Sequence, residues 1–199
     1  MRVGVRRACL VGGTGSNLRA LIDDGAPIRL VISHKAGVGA LEIARAAGIP
    51  QVVLPARQYP VREEYDAALL RILGEAGIEA LVLAGFLRLL SDRVVDTYAG
   101  RAVNVHPSLL PAFPGLHAVR QALEYGVRVT GVSVHLVDRG LDSGPIIFQE
   151  AVSVRPDDTD ETLSSRIHAV EHRLLPRAVR LLDAHRLEVQ GRQVVIREE

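Results

Sequence analysis

Cysteine is nearly absent: Cys9 is the only one among 199 residues. An intrachain disulfide and a cysteine-built zinc site are therefore excluded, and a reducing compartment fits. Cys9 lies in the apolar run Ala8-Cys9-Leu10-Val11 and reads as a small buried hydrophobe. Neither sign of charge dominates. With 24 basic and 23 acidic residues the formal net charge is +1, so no global field calls for nucleic acid or a membrane. No apolar stretch approaches bilayer-spanning length, and no apolar h-region follows the N-terminal arginines. A cytoplasmic protein without nucleic-acid or membrane partners is expected. No histidine pair has persuasive metal-ligand spacing, so no metal is expected. Linkers, internal repeats and low-complexity segments are also missing, which leaves one domain, residues 1–199.

What is present is the material of an ordinary core, 48% hydrophobic and 24% charged residues. The chain alternates short apolar runs with helical periodicity. Strands are expected at 8–12, 28–32, 52–54, 80–84 and up to His106. Helices are expected from the glycine-rich turn to about Asp24, over 39–47 closed by Gly48, over 61–75, and from a Ser91 cap to Tyr98. This grammar predicts an α/β fold: a doubly wound, mostly parallel sheet with helices on both faces. After residue 111 the grammar changes. A helix near 117–125 precedes strands at 129–137 and 146–154 joined by a short loop, an antiparallel element in the C-terminal half. A long helix capped by Thr159 and kinked at Pro176 follows, then a hairpin around Gly191.

Three places carry candidate chemistry. Asn104 and His106 alternate with Val103 and Val105, so both point to one side of a strand end, where the prolines of His106-Pro107-Ser108-Leu109-Leu110-Pro111 forbid a helix. An amide donor beside an imidazole can hold an oxyanion and manage a proton. Asp142, in a loop between two strands, can fold back over that strand end to pair with the imidazolium or take a proton; alternatively it bonds its own turn. Gly13-Thr14-Gly15-Ser16-Asn17 opens a helix, where backbone N–H groups and the helix dipole can hold a phosphate, or Ser16 simply caps it. Leu18 stands where a third glycine of G-x-G-x-x-G would be, so dinucleotide binding is not favoured. His135 faces either the same site or solvent, and His34, His168, His172 and His185 read as surface or capping residues.

Asn104-Val105-His106-Pro107-Ser108-Leu109-Leu110-Pro111, with Phe113-Pro114-Gly115 and Asp142-Ser143-Gly144-Pro145-Ile146, resembles the signature of the folate-dependent formyltransferases. Gly15-Ser16-Asn17-Leu18, Ala84-Gly85-Phe86-Leu87-Arg88 and Glu171-His172 resemble the glycinamide ribonucleotide formyltransferase branch, and the likeness covers nearly the whole chain. The resemblance implies a single Rossmann-like formyltransferase domain. Its phosphate-binding half is about 1–100 and its folate-binding and catalytic half about 101–199. It implies formyl transfer from 10-formyltetrahydrofolate to glycinamide ribonucleotide, the third step of purine synthesis, without a metal, by a monomer or homodimer. By the same resemblance Asn104, His106 and Asp142 are the catalytic trio. Gly15, Ser16 and Asn17 hold the ribonucleotide phosphate, and Glu171 contacts its ribose or glycinamide part. Leu87, Arg88, Leu89 and Leu90, with Asn104, meet the folate, whose glutamate tail lies near Arg62; His117 and Ser133 give support. Two departures stand out: Gly12 replaces a more usual serine beside the phosphate turn, and His34 a more usual asparagine. Related hydrolases and tRNA-acting formyltransferases carry a further domain that is not expected here. A binding module without catalysis has no use for a titrating group at the strand end.

Overall fold

Five consecutive buried residues, Arg7–Val11, form β1, and a strand with no exposed face needs neighbours on both edges. The computed structural model describes residues 5–197 and supplies those neighbours. β1 pairs in parallel with β2 (Ile28–Ser33) and with β4 (Ala80–Ala84), and β2 with β3 (Gln51–Val53). The crossovers are α1 (Ser16–Asp23), α2 (Gly39–Ala46) and α3 (Arg62–Glu75), the last preceded by a 3-10 turn at Ala56–Gln58. The chain divides between Val103 and Asn104 into two compact units. In the first the strand order is β3-β2-β1-β4, followed in sequence by α4 (Asp92–Thr97).

The turn between β1 and α1 is built on close backbone approach. Gly15 has φ of 88°, and a Cβ there would lie 2.5 Å from Cα of Ala40. A Cβ on Gly39 would lie 2.6 Å from the carbonyl oxygen of Thr14, and Ala40 N–H donates to the Gly13 carbonyl at 3.2 Å. Only glycine tolerates both the left-handed backbone and this contact. Gly15, not Ser16, is therefore the N-cap of α1, and no side chain caps it.

Strand β5 (Ala102–His106) carries the chain into the second unit, where the order is β5-β6-β7-β9-β8. Helix α5 (Ala118–Tyr125) leads to β6 (Val129–Leu136), which pairs antiparallel with β7 (Ile146–Ser153). Helix α6 (Asp160–Asp183) then packs on β6 and β7, burying Leu163, Ile167, Val170, Leu174, Leu175 and Ala178 along one stripe. A buried leucine or isoleucine of this kind contributes about 1.5–3 kcal/mol. Thr159 caps α6 reciprocally: Thr162 N–H donates to Thr159 Oγ1 at 3.2 Å and Thr159 N–H to Thr162 Oγ1 at 2.9 Å. Pro176 sits buried inside α6 and does not end it. The hairpin of β8 (Leu187–Gln190) and β9 (Gln193–Ile196) forms as expected, and β9 also pairs in parallel with β7, which the sequence pattern did not indicate.

This is an α/β fold with a mostly parallel sheet and antiparallel strands towards the C-terminus, as expected. Ser91 occupies the N-cap position of α4, as expected, but its side chain makes no cap bond; its N–H donates to Asp66 Oδ2 at 2.5 Å.

Candidate active site

The period of two in β5 puts Asn104 and His106 on one face, and the second unit brings Asp142 to both. His106 Nδ1 lies 3.3 Å from Asp142 Oδ2, and Asn104 Nδ2 donates to Asp142 Oδ1 at 3.2 Å. His106 is 4% exposed and His135 2%, so these contacts form in a water-poor environment where charge interactions are strong.

The loop before β7 aims the carboxylate. Asp138 Oδ1 accepts from Gly140 N–H at 3.1 Å and from Ser143 Oγ at 2.7 Å, folding the loop on itself. The backbone then returns so close to β6 that a Cβ on Gly144 would lie 1.8 Å from the Leu136 carbonyl oxygen. Asp142 itself has φ of 49°, a left-handed conformation that costs a non-glycine residue. In return Asp142 Oδ2 accepts Gly115 N–H at 2.8 Å.

The turn after β5 is fixed by Ser133. Its hydroxyl donates to the Ser108 carbonyl at 2.7 Å and accepts from Leu110 N–H at 3.0 Å and Gln149 Nε2 at 2.9 Å. The same turn brings the Phe113 carbonyl to 2.8 Å from His106 Nε2. A carbonyl only accepts, so Nε2 carries a hydrogen and Nδ1 is the nitrogen that faces Asp142.

His135 belongs to this cluster rather than to solvent. Its Nδ1 donates to the Leu136 carbonyl at 2.9 Å, and its Nε2 lies 3.1 Å from Asn104 Nδ2 and 3.7 Å from Asp142 Oδ1. Alternation with Val134 and Leu136 left both readings open, because β6 is buried on both faces from Thr130 to Leu136. Burial alone pushes the Asp142 carboxyl up. The approach of His135, the Gly115 N–H and the charge of His106 outweigh that burial, so it lies below the ordinary 3.8.

Other predicted residues are placed as follows. Glu171 is buried on α6, whereas His117 stands exposed at the start of α5, outside the cluster. In the first unit, Ser16 and Asn17 are half-buried in the first turn of α1. Arg62 on α3 donates to the Leu90 carbonyl, and the Arg88 guanidinium lies 4.3 Å from the centre of the Tyr65 ring. Leu87 and Leu89 are 56% and 45% exposed, while Leu90 is buried. His34 is not a surface residue: its ring meets Phe86 edge-on at 5.1 Å and fills the space beside Gly12, where a Cβ would fall 2.1 Å from His34 Cε1. Burial, followed by the charge of Lys35, lowers its pKa. Of the remaining expectations for histidine, His168 and His185 are exposed, but His172 is half-buried and stacks on His168. Among the described residues no group of three or more His, Cys, Asp or Glu side chains is placed to hold a metal ion.

An amide donor, an imidazole and an ionised carboxylate within hydrogen-bond reach form a site for attack at a carbonyl: a donor for an oxyanion and an acceptor for the nucleophile's proton. Comparison with known proteins agrees with this chemistry. The formyl transferase family description matches residues 5–179. The chain is 52% identical over 185 residues to the trifunctional purine biosynthetic protein adenosine-3 of Drosophila pseudoobscura pseudoobscura, covering 89% of this chain but 14% of that protein's length. It is 42% identical over 191 residues to phosphoribosylglycinamide formyltransferase of Mycobacterium tuberculosis, covering 94% of this chain and 89% of the relative. The crystal structure of glycinamide ribonucleotide transformylase 1 from Symbiobacterium toebii superposes with a TM-score of 0.95 at 44% identity, covering 100% of this chain and 96% of that one. By the extent of these matches, and with the residues of its site in keeping, the chain belongs to the formyl transferase family.

Proposed function

We propose that this protein transfers the formyl group of 10-formyltetrahydrofolate to the amine of glycinamide ribonucleotide, giving formylglycinamide ribonucleotide and tetrahydrofolate, the third step of de novo purine synthesis. The observation that carries this reading is the convergence of Asn104 and His106 on Asp142 in a chain of this family. The ribonucleotide amine attacks the formyl carbon, and the carbonyl oxygen becomes an oxyanion. Asn104 donates to that oxygen, with the His106 imidazolium as the adjacent positive charge. Asp142 orients His106 and takes the proton lost by the amine, directly or through a water. The new amide forms as the folate nitrogen leaves with a proton.

In the free protein the Asn104 amide hydrogens face Asp142 at 3.2 Å and His135 at 3.1 Å. The substrate oxygen competes for one of them, as in sites whose hydrogen bonds tighten only in the complex. Gly15, Ser16 and Asn17 hold the phosphate through N–H groups at the start of α1, and Glu171 meets the sugar or glycinamide part. The backbone of residues 87–90 meets the folate ring, and Arg62 its anionic tail. The protein acts on these small molecules in the cytoplasm, without a metal, as a monomer or homodimer.

The test is a mass measurement of the ribonucleotide after incubation with both substrates, beside a control without ribonucleotide. Formylated ribonucleotide in the first and no formate in the second is the expected result. Formate release without ribonucleotide would make the enzyme a hydrolase, and binding of both substrates without product would make it a binding module.

A further inference from the structure

Within one turn, α3 grips the segment that leaves β4 at three points. Asp66 is 2% exposed and accepts Ser91 N–H at 2.5 Å. Arg62, one turn earlier, donates to the Leu90 carbonyl, and its Nε lies 3.9 Å from Asp66 Oδ2. Tyr65, between them, offers its ring face to Arg88 at 4.3 Å. The Leu90 carbonyl and the Ser91 N–H are opposite ends of one planar peptide group. The Arg62/Asp66 pair therefore holds a single peptide from both sides, donor to acceptor and acceptor to donor.

Burying a carboxylate is costly unless it is bonded, and here its bond goes to a loop rather than to the core. The loop it fixes has an unusual make-up. Among the described residues, no backbone–backbone hydrogen bond involves residues 86–90. Leu87 and Leu89 stand exposed on either side of the tethered Arg88. A stretch outside any helix or strand, with outward apolar side chains and pinned at one peptide, presents an edge for a flat ring that both stacks and hydrogen-bonds.

We infer that Asp66 is a positioning residue for the formyl donor: with Arg62 it fixes the Leu90–Ser91 peptide and so sets the shape in which the backbone of residues 87–90 meets the donor's ring. The inference rests on the proposed donor role of residues 87–90. It also gives Arg62 a double duty. One arm of its guanidinium is committed to the Leu90 carbonyl, so an anionic tail bound by the remaining N–H groups acts on the same peptide that shapes the ring site.

The test compares Asp66→Ala, which removes the acceptor, with Asp66→Asn, which keeps an oxygen for Ser91 N–H but loses the charge facing Arg62. Steady-state kinetics are read for each substrate separately, with amide hydrogen exchange at Ser91 as the structural readout. Asp66→Ala raises the KM for 10-formyltetrahydrofolate about tenfold and Asp66→Asn about threefold, while kcat and the ribonucleotide KM stay within about twofold. Exchange at Ser91 quickens in the same order. A change spread equally over both substrates, or an unchanged donor KM where Ser91 exchange has quickened, overturns the inference. Should Asp66→Ala not fold, an unchanged donor KM in Asp66→Asn overturns it alone. Absence of formyl transfer by the unmodified protein refutes the proposed function instead. Calorimetric binding of tetrahydrofolate then decides the inference: weakened in Asp66→Asn if it holds, equal if it does not.

Discussion

Replacing Asp142 by asparagine removes one charge from the cluster while keeping its shape. The carboxylate accepts from Gly115 N–H at 2.8 Å and Asn104 Nδ2 at 3.2 Å, and faces His106 Nδ1 at 3.3 Å. An asparagine offers one oxygen and one NH2. Whichever way the amide is turned, the NH2 opposes a donor, either Asn104 Nδ2 or Gly115 N–H. The loss of a charge-assisted hydrogen bond costs about 1.5–3 kcal/mol, and an oxyanion donor left misaligned costs about 2.7–4 kcal/mol in the transition state. The two losses fall on one coupled group and do not add. A net cost of about 3–4 kcal/mol corresponds to a fall in kcat of about 10²–10³-fold. Both KM values stay within about threefold, because neither substrate's anchoring groups are touched. Steady-state formyl transfer measures this, with circular dichroism to verify the fold. A kcat within about tenfold of wild type, in a variant with an unchanged spectrum, would remove Asp142 from the chemistry.

The lowered pKa of Asp142 sets a pH dependence. Its folded value lies below 3.8, so the stability it contributes is fully present above that value and is lost as pH falls through the folded value. Between about pH 5 and 8 no acid limb of kcat should belong to Asp142, and a limb there that vanishes in Asp142→Asn would contradict the assignment. Ser16→Ala with Asn17→Ala should weaken calorimetric binding of the ribonucleotide about tenfold or more and leave donor binding unchanged. A loss of donor affinity instead would show the phosphate turn to be misassigned. Gly15→Ala should lower stability by at least about 1–2 kcal/mol, since it combines a left-handed backbone with a collision at Ala40. An unchanged thermal midpoint would mean that the turn rearranges without cost.

Elements whose residues act through burial were the most legible in the sequence. Ala80-Leu81-Val82-Leu83-Ala84 has no polar position, and it is a strand buried along its whole length. Thr159 was readable as a cap because its partner, Thr162, is local. Ser91 stands where the sequence places it, at the start of α4, but the bond from its N–H to Asp66, 25 residues earlier on another helix, was not readable. Local spacing carries no information about such a partner. The same limit explains His34, whose half-buried position depends on the missing side chain of Gly12. At the site, the period of two in β5 placed Asn104 and His106 together, and the position of Asp142 in a loop between two strands allowed its return. The groups that complete the cluster at His106 and Asp142, the Phe113 carbonyl and the Gly115 N–H, are backbone atoms and leave no mark in residue identity.

His106 and Asp142 lie 3.3 Å apart, and a pair that acts as one unit shows non-additive losses. The direct test is a single-turnover experiment with a carbon-13-labelled formyl donor, on the wild-type protein, His106→Ala, Asp142→Asn and the double variant. Label should pass to the ribonucleotide amide, and the double variant should be no slower than the slower single variant. Label released as formate, or a double-variant loss equal to the product of the two single losses, would contradict a shared role in formyl transfer.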